Sequence, residues 1–186
     1  MNKKLLLIIL FIAIIFFGRV LPHPYNFTPL IAVTLLSSYA ISNRIIALIV
    51  PLLGFWLSDL FMNNVIYAGY YSDFTIFSSG MFWTYGAIVI VGLMGSSFIK
   101  KISSGKVVLA SLSGSTIFYL ISNFGVWAFS PMYAKSITGL IQCYSLALPF
   151  YGSSLIGDLL YSSVLFGAYQ LVFSKNINFL ISRSKN

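Results

Sequence analysis

Residues 78–98, SSGMFWTYGAIVIVGLMGSSF, and residues 107–129, VVLASLSGSTIFYLISNFGVWAF, are two long apolar runs joined by the eight residues IKKISSGK at 99–106. Neither run carries a charged side chain. About twenty apolar residues, rising about 1.5 Å each along a helix, match the roughly 30 Å hydrocarbon layer of a bilayer. Each run therefore predicts a transmembrane helix. The three lysines packed into the short connection mark it as a cytoplasmic turn, because short loops that keep positive charge set orientation.

The same pattern extends in both directions. Apolar runs at 4–20, 27–41, 45–62 and 150–173 complete a set of six predicted spans with 78–98 and 107–129, all within a single transmembrane domain, 1–186. The 27–41 run is long enough for a short or tilted span. Pro51 inside the third run is compatible with a helix, provided that a neighbouring helix satisfies the carbonyl it leaves unpaired. Residues 63–77 suit an interfacial loop, and residues 130–149, too polar to span and too apolar for a free loop, suggest a short helix over the mouth of the bundle. The fold class expected is all-α, a polytopic bundle of six transmembrane helices.

Composition narrows the function classes. Of 186 residues, 59% are hydrophobic and 8% charged, with a mean hydropathy of +0.93, whereas soluble domains carry about a quarter charged residues. The net charge of +8 arises from eleven Lys and Arg against three acidic residues. The basic residues lie between apolar runs rather than on one face, so they fit orientation and anionic headgroups better than nucleic acid. With six spans, Lys3, Lys4, Arg44, Lys100, Lys101, Lys106, Lys175, Arg183 and Lys185 fall on one side, and only Arg19 and Lys135 on the other. This predicts both termini in the cytoplasm, in a cytoplasmic (inner) membrane. Leu5–Phe17 resembles a signal-peptide core, but no small-x-small cleavage site follows it, which favours a retained first helix.

Charges carried into hydrocarbon are costly and are functional candidates for that reason. Arg19 closes span one, Asp59 lies late in span three, Asn123 and Trp127 late in span five, and Asp158 early in span six. In the predicted topology all sit in the outer half of the membrane, the arrangement a pocket open to the outside requires. His23, framed by Pro22 and Pro24, is a candidate rim contact; Asn26 and Tyr144 complete the candidate substrate-binding set of Arg19, His23, Asn26, Asp59, Asn123, Trp127, Tyr144 and Asp158. The plain alternative is that Arg19 pairs with Asp59 or Asp158 only to join helices. A lone histidine and dispersed carboxylates make no metal site, the single Cys143 suits a buried structural thiol, and no cofactor is expected. The motifs G-x-S-x-G and H-E-x-x-H and the P-loop are absent, so an enzyme is not expected.

Several segments also carry a resemblance: Arg19 followed by Leu21-Pro22-His23-Pro24-Tyr25-Asn26-Phe27-Thr28-Pro29, Ser58-Asp59, Ser122-Asn123-Phe124-Gly125-Val126-Trp127, Gly139-Leu140, Cys143-Tyr144, Pro149-Phe150 and Gly157-Asp158. Together they resemble an uncharacterised family of bacterial six-span membrane proteins labelled as transport proteins, similar in turn to the substrate-binding S-components of energy-coupling-factor transporters. The resemblance implies an S-component-like bundle that captures a small vitamin-like solute from outside and works with a transmembrane coupling subunit and ATPases. The chain departs from that pattern at the Ala-x-x-x-Ala docking pair, where Ala13 is followed by Phe17. The function expected is uptake of a small vitamin-like or anionic molecule, Arg19 binding its carboxylate or phosphate. The alternative is a structural or assembly subunit whose polar residues only bridge helices.

Overall fold

A computed structural model describes residues 3–78 and 80–183. The described residues form six α-helices and no strand: α1 (Lys3–Val20), α2 (Leu30–Ala40), α3 (Arg44–Phe61), α4 (Met81–Phe98), α5 (Ser104–Phe129) and α6 (Ile137–Arg183). Four stretches are long and apolar enough to cross a membrane: Arg44–Ile66, Met81–Phe98, Ser104–Phe129 and Ile137–Val172. Many large apolar side chains on the outside of the bundle, among them Leu10, Ile49, Leu93, Leu109 and Leu160, are exposed, as a lipid-facing surface requires. Lys185 lies outside the described residues, as do the side chains of Lys3, Lys175 and Arg183.

Two helices differ from the runs expected of them. The second has only 11 residues and starts at Leu30, not at Phe27. Asn26 adopts a left-handed conformation with φ 58°, and Thr28 is kept out of the helical region by the following Pro29, so the chain cannot wind up earlier. The sixth helix starts at Ile137 and runs through Pro149 without a break. No separate short helix lies over the mouth; residues 137–149 are the first turns of α6 and pack on α5, where Tyr119 Oη donates to the Tyr144 carbonyl (2.7 Å) and Tyr144 Oη donates to the Leu120 carbonyl (2.6 Å). Asp158, expected early in the sixth span, accordingly lies near the middle of α6.

The short α2 is the centre of the bundle. It contacts all five other helices, and every residue from Leu30 to Ser37 is buried, which is the burial expected of a helix that is apolar all round. Leu35, Val33 and Leu36 of α2 meet Phe11 and Ile15 of α1, Val50 and Phe55 of α3, and Ile88 and Val91 of α4 in one continuous core. Gly114 of α5 admits this packing, because a Cβ there would lie 2.8 Å from Ile31 Cγ2.

The buried polar groups of α2 are all engaged. Thr34 Oγ1 donates to the Leu30 carbonyl (2.7 Å), and Ser37 Oγ donates to the carbonyls of Thr34 (3.0 Å) and of Ala47 in α3 (2.9 Å). Ala47 is the residue four before Pro51, whose missing N–H leaves that carbonyl without its helical donor. The Ser37 hydroxyl replaces the donor. At the start of α3, Asn43 caps the helix by accepting from the Ile46 N–H (3.1 Å). Beyond its end, a π-helical turn (Met62–Ile66) and a 3-10 turn (Ala68–Tyr70) lead into a loop pinned by Asn64, which donates to the carbonyls of Leu60 and Thr75 and accepts from the Thr75 N–H.

Replacing Ser37 by alanine is expected to lower stability by about 1–3 kcal/mol, the cost of stranding a buried carbonyl. In a Pro51→Ala background, where residue 51 regains an N–H for Ala47, the same substitution should cost less than about 1 kcal/mol. Denaturation of the four proteins in detergent measures both numbers, and strict additivity would contradict the substitution of one donor for the other.

Candidate functional site

Two cavities lie at the end of the bundle where α1, α3 and α5 finish, opposite the short connections at 41–43 and 99–103. The first, of about 300 Å³, is bounded by α5 and α6 on one side, by Arg19 and Phe55 on the other, and by Leu30 and Ile31 at the start of α2. The second, of about 400 Å³, lies between α1, α3, α4 and the end of α5. Arg19, Phe55, Thr84 and Ser122 line both, so the guanidinium stands at the boundary between them.

Arg19 is held from several directions. Its Nη1 lies 2.7 Å from Asp59 Oδ1 and donates to the Phe55 carbonyl (3.1 Å) and to Ser58 Oγ (2.5 Å), while its guanidinium carbon sits 3.7 Å from the centroid of the Phe55 ring. Ser58 itself is fully buried and donates to the Phe55 carbonyl (2.6 Å). Residues 55, 58 and 59 share one face of α3 because three and four residues make one helical turn. The arginine expected to meet a bound anion is thus paired with an aspartate of the neighbouring helix, and both side chains are about 85% buried, at 15% and 14% exposure.

Among the described residues Asp158 has no such counter-charge. It is 4% exposed, lines the first cavity, and accepts a hydrogen bond at Oδ2 from Ser115 Oγ (2.6 Å). Arg19–Asp59 is the ion pair found among the described residues. Below the carboxylate, Ser162 Oγ donates to Ser111 Oγ (3.3 Å), so a ladder of buried serines joins α5 to α6.

The remaining expected residues divide. Asn26 and Asn123 line the first cavity; Asn123 Nδ2 donates to the Tyr119 carbonyl (2.8 Å). Trp127, Tyr144 and His23 line neither cavity. Trp127 Nε1 donates to the Ala134 carbonyl (3.0 Å), and Lys135 Nζ donates to the carbonyls of Trp127 and Ser130, so these side chains close the end of α5 and its connection to α6. One turn from Asn123 gives Trp127 the right direction but carries it past the cavity. Tyr144 lies on the α5–α6 seam described above. His23 is exposed, with its ring nitrogens 2.7 Å from the Pro24 carbonyl and 3.1 Å from the Arg19 carbonyl.

Other lining residues, not singled out in the sequence, follow a helical repeat. Ser115, Tyr119 and Ser122 on α5, and Tyr151 and Ser154 on α6 leading to the expected Asp158, recur at three and four residues and all face the first cavity. That polar stripe through two apolar helices is the signal that would have found them. Tyr119 and Tyr151 stack with centroids 4.5 Å apart at 28°, Tyr151 Oη lies 2.8 Å from Thr116 Oγ1, and Ser154 Oγ donates to the Asn26 carbonyl (3.2 Å), fastening the α1–α2 connection to α6.

The ion pair makes a testable energetic statement. Arg19→Met alone should cost about 3–5 kcal/mol by leaving the Asp59 carboxylate without its partner, and adding Asp59→Leu should recover most of that loss. Unfolding of the single and double variants in detergent measures it, and a double variant no more stable than Arg19→Met would show that the pair is not coupled.

Comparison with known proteins comes down to one family: a model described as a family of unknown function (DUF6580) matches residues 1–180. Neither curated proteins nor solved structures give a match.

Proposed function

The chain belongs to DUF6580, a family of unknown function, and we propose from its site that it is a membrane solute-binding protein that captures a small vitamin-like molecule in an outward-facing pocket for uptake. The observation that carries this reading is the first cavity, to which all six helices or their connections contribute and at which Arg19, Asn123 and Asp158 converge. Its volume of about 300 Å³ falls at the lower end of small-molecule pockets. A subunit whose polar residues only bridged helices would close this space with side chains and pair each carboxylate; the open cavity and the lack of a counter-charge at Asp158 favour ligand binding instead. A likeness to S-components of energy-coupling-factor transporters belongs to the same proposal, with a transmembrane coupling subunit and ATPases as its partners.

In this reading the basic connections face the cytoplasm of a bacterial inner membrane, with both termini inside, and the cavities open outward. An impermeant thiol reagent applied to intact cells should modify Tyr70→Cys, at a position 87% exposed, and spare Lys101→Cys. The native Cys143, 2% exposed, should contribute little background. The opposite labelling would invert the topology and with it the direction of capture.

Binding itself is tested by native mass spectrometry of the full chain extracted from its own membrane. A retained small molecule, lost when Ser122→Phe fills the space between the two cavities, is the expected result. A protein that carries nothing and whose mass spectrum is unaltered by Ser122→Phe would remove the solute-binding reading.

A further inference from the structure

The charged groups around the first cavity are not all paired. Among the described residues Arg19 is the one cationic side chain lining it, and Asp59 takes that charge at 2.7 Å. Lys135 is turned to the carbonyls that end α5, and His23 lies outside the cavity, against the carbonyls of Arg19 and Pro24. Asp73 is an exposed loop residue hydrogen-bonded to Ser72. What remains at the cavity is the carboxylate of Asp158, more than nine-tenths buried, with Oδ2 engaged by Ser115 and with no donor to Oδ1 among the described residues.

Several donors on the same wall are spent on the backbone. Ser122 Oγ donates to the Phe118 carbonyl, Tyr119 Oη to the Tyr144 carbonyl, Asn123 Nδ2 to the Tyr119 carbonyl and Ser154 Oγ to the Asn26 carbonyl. Each hydroxyl or amide that gives its hydrogen to the backbone offers the cavity an oxygen lone pair. The donors left on the wall are the hydroxyls of Thr28 and Thr84, which can either donate or accept, the Asn26 amide, the second amide N–H of Asn123 and the N–H groups of Arg19 beyond Nη1. The same wall carries the stacked rings of Tyr119 and Tyr151 with Phe118 and Phe150, and aromatic faces attract cations.

We propose that the ligand of this cavity is a small organic cation with N–H donors, a protonated amine or a protonated nitrogen heterocycle, whose positive nitrogen lies at Asp158 and whose body lies against Tyr119 and Tyr151. This rests on the solute-binding reading above and deepens it, because it replaces the anion that Arg19 was expected to receive. A buried carboxylate is matched best by a cation that also fills its lone pairs, and an anion placed here would face Asp158 with the guanidinium already engaged.

Three near-isosteric probes separate the possibilities: phenethylamine, which is cationic, phenethyl alcohol, which is neutral, and phenylacetate, which is anionic. Thermal unfolding and equilibrium binding of the full chain in detergent are measured with each. The proposal expects stabilisation by phenethylamine that the other two do not give, and an affinity for it weakened by about tenfold or more in Asp158→Asn. The comparison of probes on the unaltered protein needs no variant, so a misfolded Asp158→Asn would not shield the proposal. A preference for phenylacetate or for the alcohol overturns the cation while leaving a solute-binding protein. If no probe binds, the molecule retained in native mass spectrometry decides: a cationic species supports the proposal, and a neutral or anionic one overturns it. If no probe binds and nothing is retained, both this inference and the reading beneath it fail.

Discussion

A helix of eleven residues sets the architecture. At about 17 Å, α2 is far shorter than a hydrocarbon layer, yet it touches every other helix and buries each of its first eight residues. Because it begins only at Leu30, the bundle has five helices and no sixth at the level where α1, α3 and α5 finish. Leu30 and Ile31 form the floor of the space left over. The first cavity is therefore a consequence of where one helix starts, and its start is fixed by the left-handed Asn26 and by Pro29.

Above that floor, polar groups are distributed by what can satisfy them. The α1–α3 side holds a closed set in which guanidinium, carboxylate, serine hydroxyl and a main-chain carbonyl engage one another. The α5–α6 side holds a carboxylate steadied by one serine. Two walls of one cavity thus differ in kind: one is internally neutral and tied to the packing of α3 on α1, the other presents a buried carboxyl group without a counter-charge among the described residues, beside aromatic rings. The ion pair that joins helices lies on α1 and α3, whereas the ligand site proposed above draws on α5 and α6.

Much of this was legible in the sequence, for identifiable reasons. Apolar runs of membrane length delimit α1, α3, α4 and α5 to within three residues, since nothing but length and hydropathy governs them. Proline misleads at two helices. Pro149 looks like a terminus yet lies inside α6, whereas Pro29 permits no helix before it although the apolar run begins at Phe27. For the site, the charged residues announce themselves by rarity, and four of those expected, Arg19, Asn26, Asn123 and Asp158, line one cavity. Which carboxylate Arg19 would take was open in the sequence, because the choice depends on α1 lying against α3, a matter of packing geometry. Trp127 and Tyr144 have the right composition for a pocket, but helical phase alone does not say how far along the axis a pocket ends.

The hydroxyl that Ser37 lends to Ala47 has a mechanical meaning as well as an energetic one. At Pro51 the turn of α3 is closed by an atom belonging to another helix, and the residues beyond it, Phe55, Ser58 and Asp59, are the ones that hold Arg19. A single hydroxyl at the centre of the bundle thus ties the seating of α2 to the half of α3 that grips the guanidinium.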